Sequence, residues 1–109
     1  MTGRFQGKVA LVTGGSRGVG RAISLRLAEG GADVIINYFR RRTAAAETVA
    51  ELRGLGVRAE ECRANLAEVD QIERLFEYVK SEFGRLDIFI NNAASGVPRT
   101  AMELDARGW

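Results

Sequence analysis

Gly14, Gly15, Gly18 and Gly20 crowd the segment VTGGSRGVG, directly after an apolar run. Glycine loses more freedom on folding than any other residue, so such a cluster needs a neighbour that leaves no room for side chains. A turn of this kind, placed between a strand and a helix, aims backbone N–H groups at a ligand. It adds the helix N-terminus, worth about half a positive charge, and so suits phosphate. Gly14 permits the tight turn, Gly18 clears the approach of a pyrophosphate, and Gly20 lets the helix pack closely on the sheet. Two other phosphate loops are excluded. Gly15 and Gly20 have P-loop spacing, but Arg21 and Ala22 stand where Lys and Ser or Thr are needed. The spacing G-x-G-x-x-G is absent as well; what stands here is G-x-x-x-G-x-G.

Charge indicates which dinucleotide would be taken. An acidic residue ending the second strand would bond the adenosine ribose hydroxyls and repel a 2′-phosphate. Tyr38 holds that position, and no Asp or Glu lies between Asp33 and Glu47. Arg17 sits inside the glycine segment instead, and Arg40 follows Tyr38 by two residues. A guanidinium fork matches a phosphate dianion, so NADP(H) is the expected cofactor. Arg41 and Arg42 read as solvent-facing charges.

Other chemistry is scarce. The chain has no histidine, which removes imidazole metal ligands and histidine-based triads, and no metal site is expected. Cys62 is alone, so no intramolecular disulfide forms. A reducing cytoplasm is the natural compartment, with the thiol a small buried hydrophobe.

The elements that must position these residues follow from apolar spacing. Lys8–Thr13 and Ala32–Tyr38 are short β-branched runs, expected as strands buried on both faces. Val57–Asn65 alternates in part, a less buried third strand, and Leu86–Asn91 is a fourth. Between them, Val19, Ile23 and Leu27 mark a helix over Gly18–Glu29. Val49, Leu52 and Leu55 mark another over Thr43–Leu55. The clearest runs from Val69, with Ile72, Leu75, Phe76, Val79 and Phe83 at a 3.6-residue period, and Gly84 closes it. ASGVPRT is expected as a loop and AMELDARGW as the start of a further helix. Strand and helix alternate without a hairpin signal, the pattern of a parallel sheet with helices on both faces. The expected fold is α/β, a Rossmann-type sheet of order 3-2-1-4, whose order reverses between strands one and four, where such sheets hold their ligand. A doubly wound domain needs a second half, so residues 1–109 are expected to be its cofactor-binding part, with the catalytic half missing. A complete flavodoxin-like domain would want a fifth strand.

At 109 residues, 46% hydrophobic and 28% charged, the composition is that of one soluble globular domain. A net charge of +2 argues against a nucleic-acid partner, and no run is long enough to cross a membrane.

The spacing Thr13-Gly14-x-x-x-Gly18-x-Gly20, with Asn91-Asn92-Ala93-Ala94 downstream, resembles the short-chain dehydrogenase/reductase family over essentially the whole chain. GRLDIFINNAASGV, MEL and VIINYFR are most similar to its enoyl-[acyl-carrier-protein] reductase branch, with 3-oxoacyl-[acyl-carrier-protein] reductase or another carbonyl reductase as the second reading. Family resemblance implies that Thr13, Gly14, Ser16, Arg17, Gly18, Val19 and Gly20 hold the phosphates. It implies that Tyr38 and Arg40 lie at the adenosine ribose and Asn65 and Leu66 at adenine, with Asn91 helping to seat the cofactor ribose and Ala93 among the cofactor contacts. Asn65 departs from the family's usual Asp. The family's proton donor is a tyrosine in Tyr-x-x-x-Lys. Neither Tyr38 nor Tyr78 has that spacing, so no catalytic residue is assigned. Implied partners are an acyl thioester on acyl-carrier protein and further copies in a homo-oligomer. A reading from another class is a truncated product with at most nucleotide binding.

Overall fold

The computed structural model describes residues 3–92. Seven elements alternate along it: β1 (Val9–Thr13), α1 (Gly18–Glu29), β2 (Asp33–Tyr38), α2 (Arg42–Gly54), β3 (Ala59–Arg63), α3 (Val69–Phe83) and β4 (Ile88–Asn91). All strands run parallel in the order β3-β2-β1-β4. This is the Rossmann-type arrangement expected. The register sets Leu11 beside Ile35 and Phe89, and Tyr38 beside Arg63.

Successive strand side chains face opposite ways, and the two central strands are buried on both faces. Ala10, Val12, Val34 and Ile36 meet Leu27 and Ala28 of α1 and Ala45, Val49 and Leu52 of α2. On the other face Val9, Leu11 and Ile35 meet Leu75 and Val79 of α3. Phe76 of α3 packs edge-on against Phe89 of β4, with ring centroids 5.6 Å apart. β3 and β4 are only partly buried. Cys62 packs half-buried beside the second cluster.

Three apolar residues at helix ends depart from expectation. Val19 is 68% exposed, and Leu55 and Val69 are also exposed. The buried stripe of α1 therefore begins at the partly buried Ile23, and Leu55 has become the residue after α2 rather than part of its face. The third and fourth strands also start two residues later than their apolar runs. The 94–100 loop and the helix expected after it lie outside the described residues.

A staple joins the two strands that flank the switch point. The Asp87 carboxylate accepts from the Val9 backbone N–H at 2.9 Å and from two nitrogens of Arg85 at 2.8 Å. Those Arg85 bonds hold the Asp87 carboxyl below the usual carboxylate range, against a smaller opposing effect of burial.

Candidate cofactor site at the carboxyl edge of the sheet

Parallel strands bring every strand-to-helix turn to one edge, so the glycine segment, the end of β2 and the end of β4 converge there. The Thr13 hydroxyl lies 2.9 Å from Asn91 Oδ1, to which it can donate, and it accepts from the Asn92 backbone N–H at 2.9 Å. Asn92 Nδ2 donates to the Gly14 carbonyl at 3.4 Å, while the Gly14 N–H donates to the Asn37 carbonyl at 3.1 Å. Both neighbours of β1 thus pin the turn.

Two glycines in that turn have different reasons to be glycine. A Cβ on Gly20 would fall 2.1 Å from the Gly14 carbonyl oxygen, so the helix could not start so close to the turn. Gly18 has φ of +60° and faces open space, with nothing within 4 Å of a Cβ built there. Arg17, the residue before α1, makes no side-chain cap, and no acidic residue occupies the first helical turn. The leading N–H groups of α1 therefore have no side-chain partner among the described residues, the arrangement that binds external anions. An open cradle, free helix amides and no acidic competitor fit a pyrophosphate.

Ser16 is buried, and its carbonyl accepts from Thr48 Oγ1 at 2.9 Å. Thr48 is 1% exposed and lies equally near the Ala44 carbonyl, one turn back on α2, so one proton serves two acceptors. The second helix thereby holds the glycine segment from behind.

At the end of β2, Tyr38 is 8% exposed and packs into the core under α1 and α2. The residue that emerges at this edge is Phe39. The guanidinium carbon of Arg40 lies 5.4 Å from its ring centroid and that of Arg63 lies 4.7 Å from it. Arg40, Arg41 and Arg42 open with Thr43, Ala44 and Glu47 onto a cleft of about 710 Å³. At the end of β3, Asn65 Oδ1 accepts from the Ala67 N–H at 3.0 Å, closing a local turn, and its own N–H donates to Gln71 Oε1 at 2.7 Å. Leu66 leans on the α3-side core.

The structure thus gathers Thr13, Gly14, Ser16, Arg17, Gly18, Gly20 and Asn91 around one turn, and Arg40 at the neighbouring cleft. It turns Tyr38 inward, and Val19 lines a groove on the outer side of α1 beside Ala22 and Ile23. Ala93 lies outside the described residues. Sequence reasoning passed over Asn92, Thr48 and Arg63. The Asn91-Asn92 doublet marks the first; Thr48 and Arg63 carry no local signal, because their partners lie 32 and 24 residues away.

Neither remaining candidate for proton chemistry is tuned for it. Burial and the nearby Glu60, Cys62 and Glu82 push the Tyr78 phenol up, and burial pushes the Cys62 thiol up. Both stay protonated at neutral pH. Among the described residues no group of His, Cys, Asp or Glu could hold a metal, and no helix is long and apolar enough to cross a membrane.

The family model described as short chain dehydrogenase matches residues 8–109. The chain belongs to the short-chain dehydrogenase family. One curated member, the 3-oxoacyl-[acyl-carrier-protein] reductase FabG of Staphylococcus aureus, is 39% identical over 102 residues, covering 94% of this chain and 42% of that one. A hydroxynaphthalene reductase-like protein, Arp2, of Metarhizium robertsii is 43% identical over 91 residues, 84% of this chain and 34% of that one. A solved short-chain dehydrogenase from Burkholderia cenocepacia, in complex with NADP, is 48% identical. It superposes with a TM-score of 0.80 over 83% of this chain and 37% of its own. The chain thus spans well under half the length of these short-chain dehydrogenases. The name of the curated FabG relative is that of the carbonyl reductase ranked second from sequence, behind the enoyl reductase branch.

Proposed function

We propose that residues 1–109 form the NADP(H)-binding part of a short-chain oxidoreductase, and that the whole protein reduces a 3-oxoacyl thioester carried on acyl-carrier protein. The observation that carries the cofactor reading is the open Gly18 cradle beside uncapped helix amides, with Arg17 directly before it, Arg40 on the cleft after β2 and no acidic residue at the end of β2. The substrate reading rests on the FabG relative and replaces enoyl reduction as the first choice. Bound NADPH supplies the hydride.

In this reading the chain's own residues bind and orient. Gly18, Val19 and Gly20 would offer main-chain N–H groups to the pyrophosphate and Gly18 its bare surface, with Gly14 making the turn and Ser16 seating it. Arg17 and Arg40 bond the 2′-phosphate, Phe39 gives adenosine an apolar flank, and Tyr38 supports that edge from inside. Asn65, whose oxygen already accepts from Ala67, would offer adenine its amide nitrogen. Leu66 would supply an apolar contact. Asn91 and Ala93 would lie on the nicotinamide side, with Thr13 holding Asn91 in place. Proton transfer is assigned to groups outside this chain, which lacks the Tyr-x-x-x-Lys spacing.

Cofactor titration with the Arg40→Glu variant tests the core of this. NADPH affinity should fall about tenfold or more, from loss of one charge-assisted fork and gain of a like charge, while NADH affinity holds. Equal loss of both, or of neither, overturns the 2′-phosphate assignment. For the whole protein, NADPH oxidation by 3-oxoacyl thioesters should exceed that by enoyl thioesters; the reverse order restores the enoyl reading.

A further inference from the structure

The arginines divide sharply by location. Arg21, Arg26, Arg53, Arg58, Arg74 and Arg85 each pair with a carboxylate. Arg17, Arg40, Arg41, Arg42 and Arg63, all at the carboxyl edge of the sheet, pair with no carboxylate of the described residues. Arg4, at the opposite edge, stacks on Phe5.

Arg63 is the member of this set that comes from a strand. It ends β3 directly beside Tyr38 of β2. Its Nε donates to the Phe39 carbonyl at 3.1 Å, which fixes the plane of the guanidinium, and both Nη atoms are left without a bond to any described residue. The same Phe39 ring carries Arg40. A cation over a partly exposed ring gains only about 0.5–1 kcal/mol, a small return for holding two like charges beside one ring. Glu47, the one carboxylate on the adjoining cleft, pairs with neither. Such a concentration of uncompensated charge is relieved by a dianion.

We propose that Arg63 is a further specificity-determining residue for the cofactor, adding its charge from β3 to that of Arg17 and Arg40 at the 2′-phosphate. This rests on the NADP(H) reading above. It differs from that reading in assigning discrimination to a residue outside both the glycine turn and the loop after β2. Phe39 is the platform that Arg63 and Arg40 share.

The test is a fluorescence titration of the full chain with NADPH and with NADH, as wild type, Arg63→Gln, Arg63→Lys and Arg40→Glu. Arg63→Gln should weaken NADPH binding about five- to tenfold and leave NADH within about twofold. Arg63→Lys, which keeps the charge, should keep most of the preference. An unchanged preference in Arg63→Gln overturns the inference. Equal loss of both cofactors overturns it too, because it marks a packing role for the side chain; so does a loss in Arg63→Lys as deep as in Arg63→Gln. If Arg40→Glu abolishes the preference and Arg63→Gln does not, the cofactor reading stands and this inference alone fails. A wild type that takes both cofactors equally removes both.

Discussion

Gly18 and Gly20 stand two residues apart and answer to different partners, one outside the protein and one inside. Gly20 is glycine because the Gly14 carbonyl already occupies the place of its side chain. Gly20→Ala should therefore cost about 1–3 kcal/mol of stability by overpacking and weaken cofactor binding with it. Gly18→Asn keeps a residue type that tolerates positive φ and meets no protein atom. Its stability should change by less than about 1 kcal/mol, while affinity for NADPH falls more than about tenfold as the pyrophosphate approach fills. Denaturant unfolding and cofactor titration on the two variants separate these outcomes; a Gly18→Asn chain that binds normally would show that the cradle serves something else. The glycines were legible in the sequence because their reasons are local, set by a turn and by the helix that follows it. Thr48 and Arg63 were not, because each matters through a backbone group that only the folded sheet brings near.

Among the elements, helices were easier to place than strands. The starts of α1 and α3 coincide with the apolar period, since a helix closes its hydrogen bonds within itself. A strand exists only where a partner pairs with it, so β3 begins at Ala59, opposite Val34, and not at the first apolar residue of its run. The same logic explains Val19, Leu55 and Val69, apolar residues that fit the period but lie at helix ends beyond the reach of the sheet. β4 illustrates how an element can depend on one side chain. Asp87 ties it to the head of β1, and its carboxyl is held low in the folded chain. A depressed carboxyl adds stability above its unfolded value, near pH 3.9, and that contribution is lost as pH falls through the lower, folded value. Asp87→Asn should therefore be less stable than wild type at neutral pH, and the gap should narrow steadily from about pH 4 downward. Urea unfolding of both chains across that range checks it. A gap independent of pH would show that the charge is immaterial and only the hydrogen-bond geometry counts.

For the whole molecule, parallel topology has done more than order the strands. The fold class, the strand order and the edge that holds the site were all legible from the alternation of elements, because a right-handed crossover leaves few other arrangements. What the sequence could not disclose was the sorting of charge, since pairing of Arg21 with Glu51 or of Arg58 with Glu82 depends on which surfaces the fold sets side by side. A formal charge of +2 conceals that sorting. Flank arginines are cancelled where they stand, whereas those on one rim pair with no carboxylate of the described residues and project their field into the solvent. A diffusing polyanion would be steered toward that rim before any contact forms. Capture of NADPH in stopped-flow should then slow steeply as salt shortens the field's range from about 30 Å at 0.01 M to about 3 Å at 1 M, with the less charged NADH affected less. Equal salt dependence for the two would mean that the rim holds its visitor without having guided it in.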